Sequence, residues 1–255
     1  MKKRILFLLA SALLFFGVRW YAARHFGTPV LMYHDLHEDA AVCALSDWTL
    51  QPEKLREDLT WLRGHGYTTV LPRELAAGRL DDGSPLPRRI VLLTFDDGYE
   101  SNFTLAQPIL EEFGARAAVA VIVSRVGQPG FLTWDECRAM VQSGVWEFGS
   151  HTYDRHIRDD ALGVSRLDGE TREQYTARIA PDIEKSVALL QSELGIDVRY
   201  FAYPLGRVDA WCDDILSPCF DVTVTTEPGR AAPGQLEKLP RCNITQSVCA
   251  ADYLG

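Results

Sequence analysis

Two adjacent aspartates, Asp96 and Asp97, close the apolar run Ile90-Val91-Leu92-Leu93-Thr94-Phe95 and are followed at once by Gly98. Neighbouring carboxylates at the end of a buried strand repel one another and lose solvation, so one must stay protonated or the pair must gain a cation. A second apolar run ends in Gly149-Ser150-His151-Thr152-Tyr153-Asp154-Arg155-His156. Two imidazoles and a carboxylate form a common donor set for a divalent metal with open positions, and such nitrogen and oxygen donors suit zinc or another late transition metal. A spacing of five would set His151 and His156 about 140° apart on a regular helix, against about 40° for a spacing of four. The pair is therefore expected on a loop, with His151 at the strand end. A carboxylate that binds a cation is a poor base, so one aspartate is expected to hold the metal and its neighbour to accept a proton.

Such residues need elements to position them. Strands are read at Pro29 to Tyr33, Tyr67 to Val70, Arg89 to Phe95, Ala117 to Val123, Val145 to Phe148, Arg199 to Tyr203, Phe220 to Thr225 and Lys238 to Ile244. Helical patterns fall between many of them. Pro52 to Leu62 has proline in its first turn and Leu55, Leu59 and Leu62 on one face. Leu105, Ile109, Leu110 and Phe113 run up to Gly114, and Thr133-Trp134-Asp135-Glu136 has the capping-box pattern. Tyr175, Ile179, Ile183, Val187, Leu190 and Leu194 mark the longest amphipathic helix, in which Pro181 is expected to force a kink or restart. The alternation predicts an α/β fold, a distorted (β/α) barrel of about seven or eight strands related to the TIM barrel. In such barrels reacting groups sit at the C-terminal ends of strands. Asp96-Asp97, the His151 segment and Tyr200-Phe201-Ala202-Tyr203-Pro204-Leu205-Gly206 all fall there.

The 255 residues can bury a single core, and a net charge of −9 without a concentrated basic patch excludes nucleic acid as a partner. Lys2-Lys3-Arg4, then mostly apolar residues from Ile5 to Val18, then Arg19-Trp20-Tyr21 read as a secretory signal or a retained membrane anchor. Residues 1–27 are thus assigned to a signal plus linker and 28–255 to one catalytic domain, secreted or tethered to the membrane only through the N-terminal segment. Six cysteines fit an oxidising compartment but lack the CxxC spacing of a structural zinc site. Cys212 with Cys219 is the first pair to test, and free core thiols are the competing reading. Trp134 and Trp146 are read either as a sugar groove or as barrel packing, and Arg155 to Arg172 as a solvated loop over the rim.

Thr94-Phe95-Asp96-Asp97-Gly98 with Ser150-His151-Thr152 and His156 resembles the polysaccharide deacetylases with a NodB-type domain, carbohydrate esterase family 4. The resemblance runs from about Pro29 to Ile244, including Leu31-Met32-Tyr33-His34 and Leu239-Pro240-Arg241. The five-residue histidine spacing is similar to the poly-β-1,6-N-acetylglucosamine deacetylase branch. The resemblance implies that Asp96 is the general base, that Asp97, His151 and His156 hold a divalent metal, most simply Zn2+, and that the N–H of Leu205 donates to an oxyanion. It implies hydrolysis of N-acetyl groups on an extracellular polysaccharide: poly-N-acetylglucosamine first, peptidoglycan or a chitin-like glycan second. Two departures matter. The family's base-pairing arginine is replaced by Ala202, with Arg241 favoured over Arg207 and Arg199 as its substitute, and no histidine follows His156 to act as the late general acid. Protonated Asp96 or His34 must then donate to the leaving amine, or the chain is a weak or inactive glycan-binding relative.

Overall fold

The computed structural model describes residues 27–156 and 163–255, so the N-terminal signal or anchor reading lies outside the described residues. No helix among the described residues is long and apolar enough to cross a membrane. The strands are β1 (Thr28–Tyr33), β2 (Asp35–Leu36), β3 (Thr49–Leu50), β4 (Thr68–Val70), β5 (Ile90–Asp97), β6 (Ala117–Val121), β7 (Trp146–Ser150), β8 (Tyr200–Ala202), β9 (Val222–Val224), β10 (Arg230–Ala231) and β11 (Cys242–Asn243). A curled, mixed sheet runs in the order β10-β1-β5-β6-β7-β8-β9, with β4 paired to β5 and β11 to β1 off that path. It is a distorted (β/α) barrel, as the alternation predicts. β2 and β3 form a separate two-stranded ribbon.

Strand alternation divides the apolar residues between two cores. Val91, Leu93 and Phe95 of β5, Val119 and Val121 of β6, and Trp146 and Phe148 of β7 face the outer layer, where they meet Leu55, Leu59 and Leu62 of the helix Pro52–Gly64 and Ile179, Ile183 and Leu190 of the helix Arg172–Leu194. Leu92, Ala118, Ala120, Tyr200, Ala202, Val222 and Val224 line the inside. Small residues stand where the inner face meets the Tyr200 ring: a Cβ on Gly149 would lie 2.2 Å from it. By the same alternation Thr94 and Asp96 continue the inward face of β5.

The N-terminal end of this interior is covered by Leu75 and Ala76, from the helix Pro72–Ala77, and by Leu80 and Leu86. Buried Glu74 anchors the cover, accepting from the Leu71 and Asp81 amides at 2.9 Å each and from Arg116 at 2.7 Å on both oxygens. Arg73 grips Asp81 and gives its amide to buried Glu147 at 3.0 Å. The sheet's far side is bridged by one segment. Leu239 makes a single parallel bridge to Val224, and Cys242 and Asn243 then pair with Leu31 and Met32. Arg241 sits between these two points.

Several expectations need correction. The helix Arg172–Leu194 runs through Pro181 without a break, because Pro181 is on the exposed face, where a carbonyl left without its amide partner reaches water. Cys212 and Cys219 are unpaired, as are the other cysteines; Cys212 is buried against Tyr175 rather than turned towards the loop. Among the described residues of the charged Arg155–Arg172 stretch, Arg166, Asp168, Gly169, Thr171 and Arg172 are exposed as expected. The segment is also anchored, since Val164 is buried, its carbonyl accepts from Tyr175 and Arg166 binds Asp209. The helices Ala40–Cys43, Pro72–Ala77, Ala210–Leu216 and Ala250–Leu254 and the short strands β2, β3 and β10 were not expected.

Candidate metal centre and active site

Adjacent residues of a strand point to opposite faces, so Asp96 and Asp97 could not share one site in regular β-structure. The chain breaks that rule at Asp97, whose φ of 72° is left-handed, and Gly98 continues the turn at φ 81°. A Cβ on Gly98 would stand 2.7 Å from Val121 Cγ1, which is why glycine follows the pair. Left-handed backbone costs a non-glycine residue about 1–2 kcal/mol. Among the described residues the other non-glycine positions of this kind, besides Lys238, are Thr152 and Leu205, which follow β7 and β8 at the same end of the sheet. Strain concentrated in this way marks a functional end.

The turn brings Asp97 Oδ1 to 3.5 Å from His151 Nε2 and 3.7 Å from His156 Nε2. Donor atoms of the three residues lie within 4.8 Å of one another. His151 is held by its other nitrogen: Nδ1 is 2.8 Å from the Ala202 carbonyl, which can only accept, so Nδ1 carries the proton and the Nε2 lone pair is free. Burial pushes both imidazoles below their ordinary pKa and keeps them neutral. Burial and the neighbouring Asp96 carboxylate push Asp97 up, against the opposing effect of His151, and Oδ1 is buried with no hydrogen-bond donor. An orphaned carboxylate oxygen facing the free Nε2 lone pair of His151 and the Nε2 of His156 fits a divalent cation.

Asp96 has the opposite environment. Arg241 grips it with two hydrogen bonds, 2.8 Å to Oδ1 and 2.6 Å to Oδ2, and both side chains are almost wholly buried. Burial alone would raise the Asp96 pKa, but the guanidinium outweighs it and holds the carboxyl well below the usual range. Arg241 in turn donates to the Thr225 carbonyl at 2.6 Å and to Thr94 Oγ1 at 3.2 Å, and Thr94 donates to the Leu31 carbonyl at 2.9 Å. Of the three arginines weighed for the place opposite Ala202, only Arg241 makes this pairing; Arg199 is on Asp221 and Arg207 is exposed.

His34 follows β1 and is tied to the loop after β5 by its carbonyl, which accepts from Asn102 at 2.8 Å. Its ring lies 4.6 Å from Trp48, and its buried Nδ1 has no partner. Burial lowers its pKa to about 4, against the pull of Asp96, so the imidazole is neutral at neutral pH. Leu205 is exposed in a left-handed turn, and its N–H has no acceptor among the described residues. Trp146 is buried in the outer core and Trp134 packs against it, which is the packing reading of both.

The histidine loop also rests on residues the motifs do not contain. Ser186 bonds Ser150 at 2.6 Å, and Asp182 accepts from the amides of Tyr153 and Asp154 at 2.9 and 3.2 Å. Arg155 reaches the Arg178 carbonyl at 2.9 Å. Positions 178, 182 and 186 recur every four residues, so one helix face serves the loop. That spacing was the available signal: polar residues interleaved with the apolar Ile179, Ile183 and Leu190.

A curled α/β barrel that carries an Asp-His-His donor set beside an arginine-held carboxylate has the parts of a metal-dependent hydrolase of carbon–nitrogen amide bonds. The chain belongs to the polysaccharide deacetylase family, which it matches over residues 83–217, just over half its length. It is 28% identical to the poly-beta-1,6-N-acetyl-D-glucosamine N-deacetylase of Escherichia coli K12 over 90% of this chain, and the match spans 38% of that longer protein. Among solved structures it resembles IcaB from Ammonifex degensii, with a TM-score of 0.74 at 29% identity, covering 91% of this chain and 99% of that one. It also resembles the Streptococcus pyogenes deacetylase PplD in complex with acetate, with a TM-score of 0.72 at 25% identity and 89% and 96% coverage.

Proposed function

We propose that this protein removes N-acetyl groups from an N-acetylated sugar polymer outside the cytoplasm, releasing acetate and leaving free amines on the glycan. The observation that carries the reading is the unequal environment of two adjacent carboxylates: Asp97 Oδ1 faces two imidazole nitrogens without a donor, while Asp96 is gripped by Arg241. Residues 28–255 form the catalytic unit in this reading, and the apolar N-terminal segment exports or tethers it. Asp97, His151 and His156 would hold the cation, for which zinc suits the nitrogen and oxygen donors. When bound, the cation supplies Lewis acidity to the acetamide carbonyl and to the attacking water.

The chain's own residues do the rest. Asp96 takes the proton as the water oxygen adds to the carbonyl carbon, and Arg241 fixes its carboxylate in position. The unoccupied N–H of Leu205 donates to the developing oxyanion. Breaking the carbon–nitrogen bond requires a proton on the leaving amine. A carboxyl held to a low pKa by Arg241 is a strong acid once protonated, so Asp96 returns the proton; His34, neutral at pH 7, serves as a hydrogen-bonding neighbour rather than an imidazolium donor. The names of the Escherichia coli relative and the acetate in the Streptococcus pyogenes structure support poly-N-acetylglucosamine as first substrate and acetate as product, with peptidoglycan and chitin-like glycans next.

The test is acetate release from N-acetylglucosamine oligomers by zinc-loaded protein. Wild type should release acetate, a chelator should stop it, and Asp96→Asn should lower kcat by at least about a hundredfold while zinc stays bound. Zinc binding with no acetate from any oligomer would instead establish a glycan-binding relative, the reading favoured by the lack of histidine after His156.

A further inference from the structure

Large apolar side chains exposed to solvent are not scattered over the described surface. Val42, Leu45 and Trp48 lie between β2 and β3, and Leu205 and Val208 follow β8. Both places are at the catalytic end of the sheet. In the strand order β1-β5-β6-β7-β8 they flank β5 and β7, which carry Asp96, Asp97 and His151.

Trp48 is the aromatic member of this group. The residue is 45% exposed, and its ring rests against His34 with the ring centroids 4.6 Å apart. Although the ring is open, its backbone is locked. The Trp48 carbonyl accepts from the Asp35 amide at 3.1 Å, its amide donates to Ser46 Oγ at 3.1 Å, and Asp35 is bound by Thr49 and by Ser101 at 3.3 and 2.7 Å. Ser101 follows Asp97 by four residues and also accepts from the Leu36 amide at 3.0 Å. The loop that carries Trp48 is therefore cross-linked by hydrogen bonds, through Asp35 and Leu36, to the loop that follows the paired aspartates. A rigid, half-open indole offers an apolar face for stacking at little ordering cost.

We propose that Trp48 is a specificity residue: its ring stacks on the pyranose next to the one being deacetylated, so that the enzyme acts on a chain rather than on single sugars. This rests on the deacetylase reading for the identity of the occupant. A pyranose presents a face of C–H groups that covers an indole, and its hydroxyls remain in water at the exposed rim, so it fits a half-open ring better than a lipid tail that needs full burial. The polymer then crosses from the Trp48 rim over Asp96 and the metal donors towards Leu205 and Val208.

The test measures binding apart from turnover. In an Asp96→Asn background, Trp48→Ala should weaken binding of a β-1,6-linked N-acetylglucosamine pentamer about tenfold in calorimetry, Trp48→Leu nearly as much, and Trp48→Phe by less than about threefold. In active protein the KM for the pentamer should rise by a similar factor, with a much smaller rise for the dimer and little change in kcat. Equal losses for Phe and Leu, or a pentamer affinity within about twofold of the parent in Trp48→Ala, would overturn the proposal. So would Trp48→Ala abolishing retention on phosphatidylglycerol vesicles while leaving pentamer binding intact, which would make the rim a membrane contact. Pentamer binding that depends on Trp48 without acetate from wild type would remove the deacetylase reading and keep the stacking site. Normal acetate release indifferent to Trp48 would do the reverse.

Discussion

At the N-terminal end of the sheet, buried Glu74 has a donor for each oxygen, and an arginine grips both. At the C-terminal end Asp96 is gripped in the same way by Arg241, yet the residue beside it leaves Oδ1 buried and bare. The two ends share chemistry and differ in completeness. A finished network rigidifies the cover of the barrel, whereas an unfinished one holds a place for something the protein must bind. Strained backbone separates them too: left-handed residues of the cover, Gly78 and Gly83, are glycines, whereas the non-glycine residues Asp97, Thr152 and Leu205 take that conformation at the unfinished end.

The largest expected effect comes from removing the grip at each end. Arg241 is wholly buried, and Arg241→Met would leave the Asp96 charge in the interior with no cationic partner, costing about 3–5 kcal/mol in urea unfolding along with acetate release. Arg116 is partly exposed, and Glu74 keeps two amide donors without it, so Arg116→Met should cost about 1–2 kcal/mol. Equal costs would erase the proposed difference between the ends.

The two ends should also respond to pH with opposite sign. Asp96 has a depressed pKa in the folded protein, so its contribution is present above the unfolded carboxyl pKa near about 3.9 and lost as pH falls through the folded value. Glu147 is pushed up to about 7, mainly by burial and against the pull of Arg73. Between about 4.5 and 7 the folded state thus binds more protons at Glu147 than the unfolded one, and stability falls as pH rises. At about 1.4 kcal/mol per pKa unit that fall is on the order of 3 kcal/mol. The imidazoles of His34, His151 and His156, held below their ordinary value by burial, push the other way over the same window. The Glu147 contribution is therefore read as the difference between wild type and Glu147→Gln in urea unfolding in chelator at pH 5 and pH 8: the variant should lose less stability, or gain more, on going to pH 8.

The site was more legible in the sequence than its frame. The paired aspartates, the histidine loop and the strand ends that carry them could be read because metal donors are few in type and stand at element boundaries. The left-handed turn at Asp97 was not readable, since aspartate tolerates that conformation without advertising it. Arg241 could only be favoured among three candidates, because its partner is 145 positions away and nothing local marks it. The cover at Pro72–Ala77 was missed because a helix of 6 residues has too few turns to show a periodicity. The uninterrupted course through Pro181 depended on which helix face meets water, a tertiary fact.

Filling the unfinished end should change it. Cation binding stabilises the folded state by about 2.7 kcal/mol at a hundred times Kd, visible as a rise in Tm when zinc is added to chelated protein. Asp97→Asn removes a buried charge, so the chelated variant should be at least as stable as wild type, while its Tm no longer responds to zinc. A zinc response that survives in Asp97→Asn would mean that the bare oxygen is not the cation's place.

The smallest effect tests whether the helix face at positions 178, 182 and 186 belongs to the site or only to the core. Asp182 holds two successive loop amides just after the strand that delivers His151, and neither Tyr153 nor Asp154 donates a metal ligand. Asp182→Asn keeps one acceptor oxygen and the shape but gives up the other, a loss of about 1 kcal/mol in stability. If the face merely packs, zinc affinity should be untouched. If it sets the reach of His156 towards Asp97, affinity should fall about tenfold, as for other residues that orient ligands from behind, and the dissociation constant read by competition with a chromogenic chelator separates the two. The second result is expected, because the His151–His156 ring separation of 4.9 Å is held by a loop in which the two successive amides midway between the histidines, those of Tyr153 and Asp154, are tied to this helix.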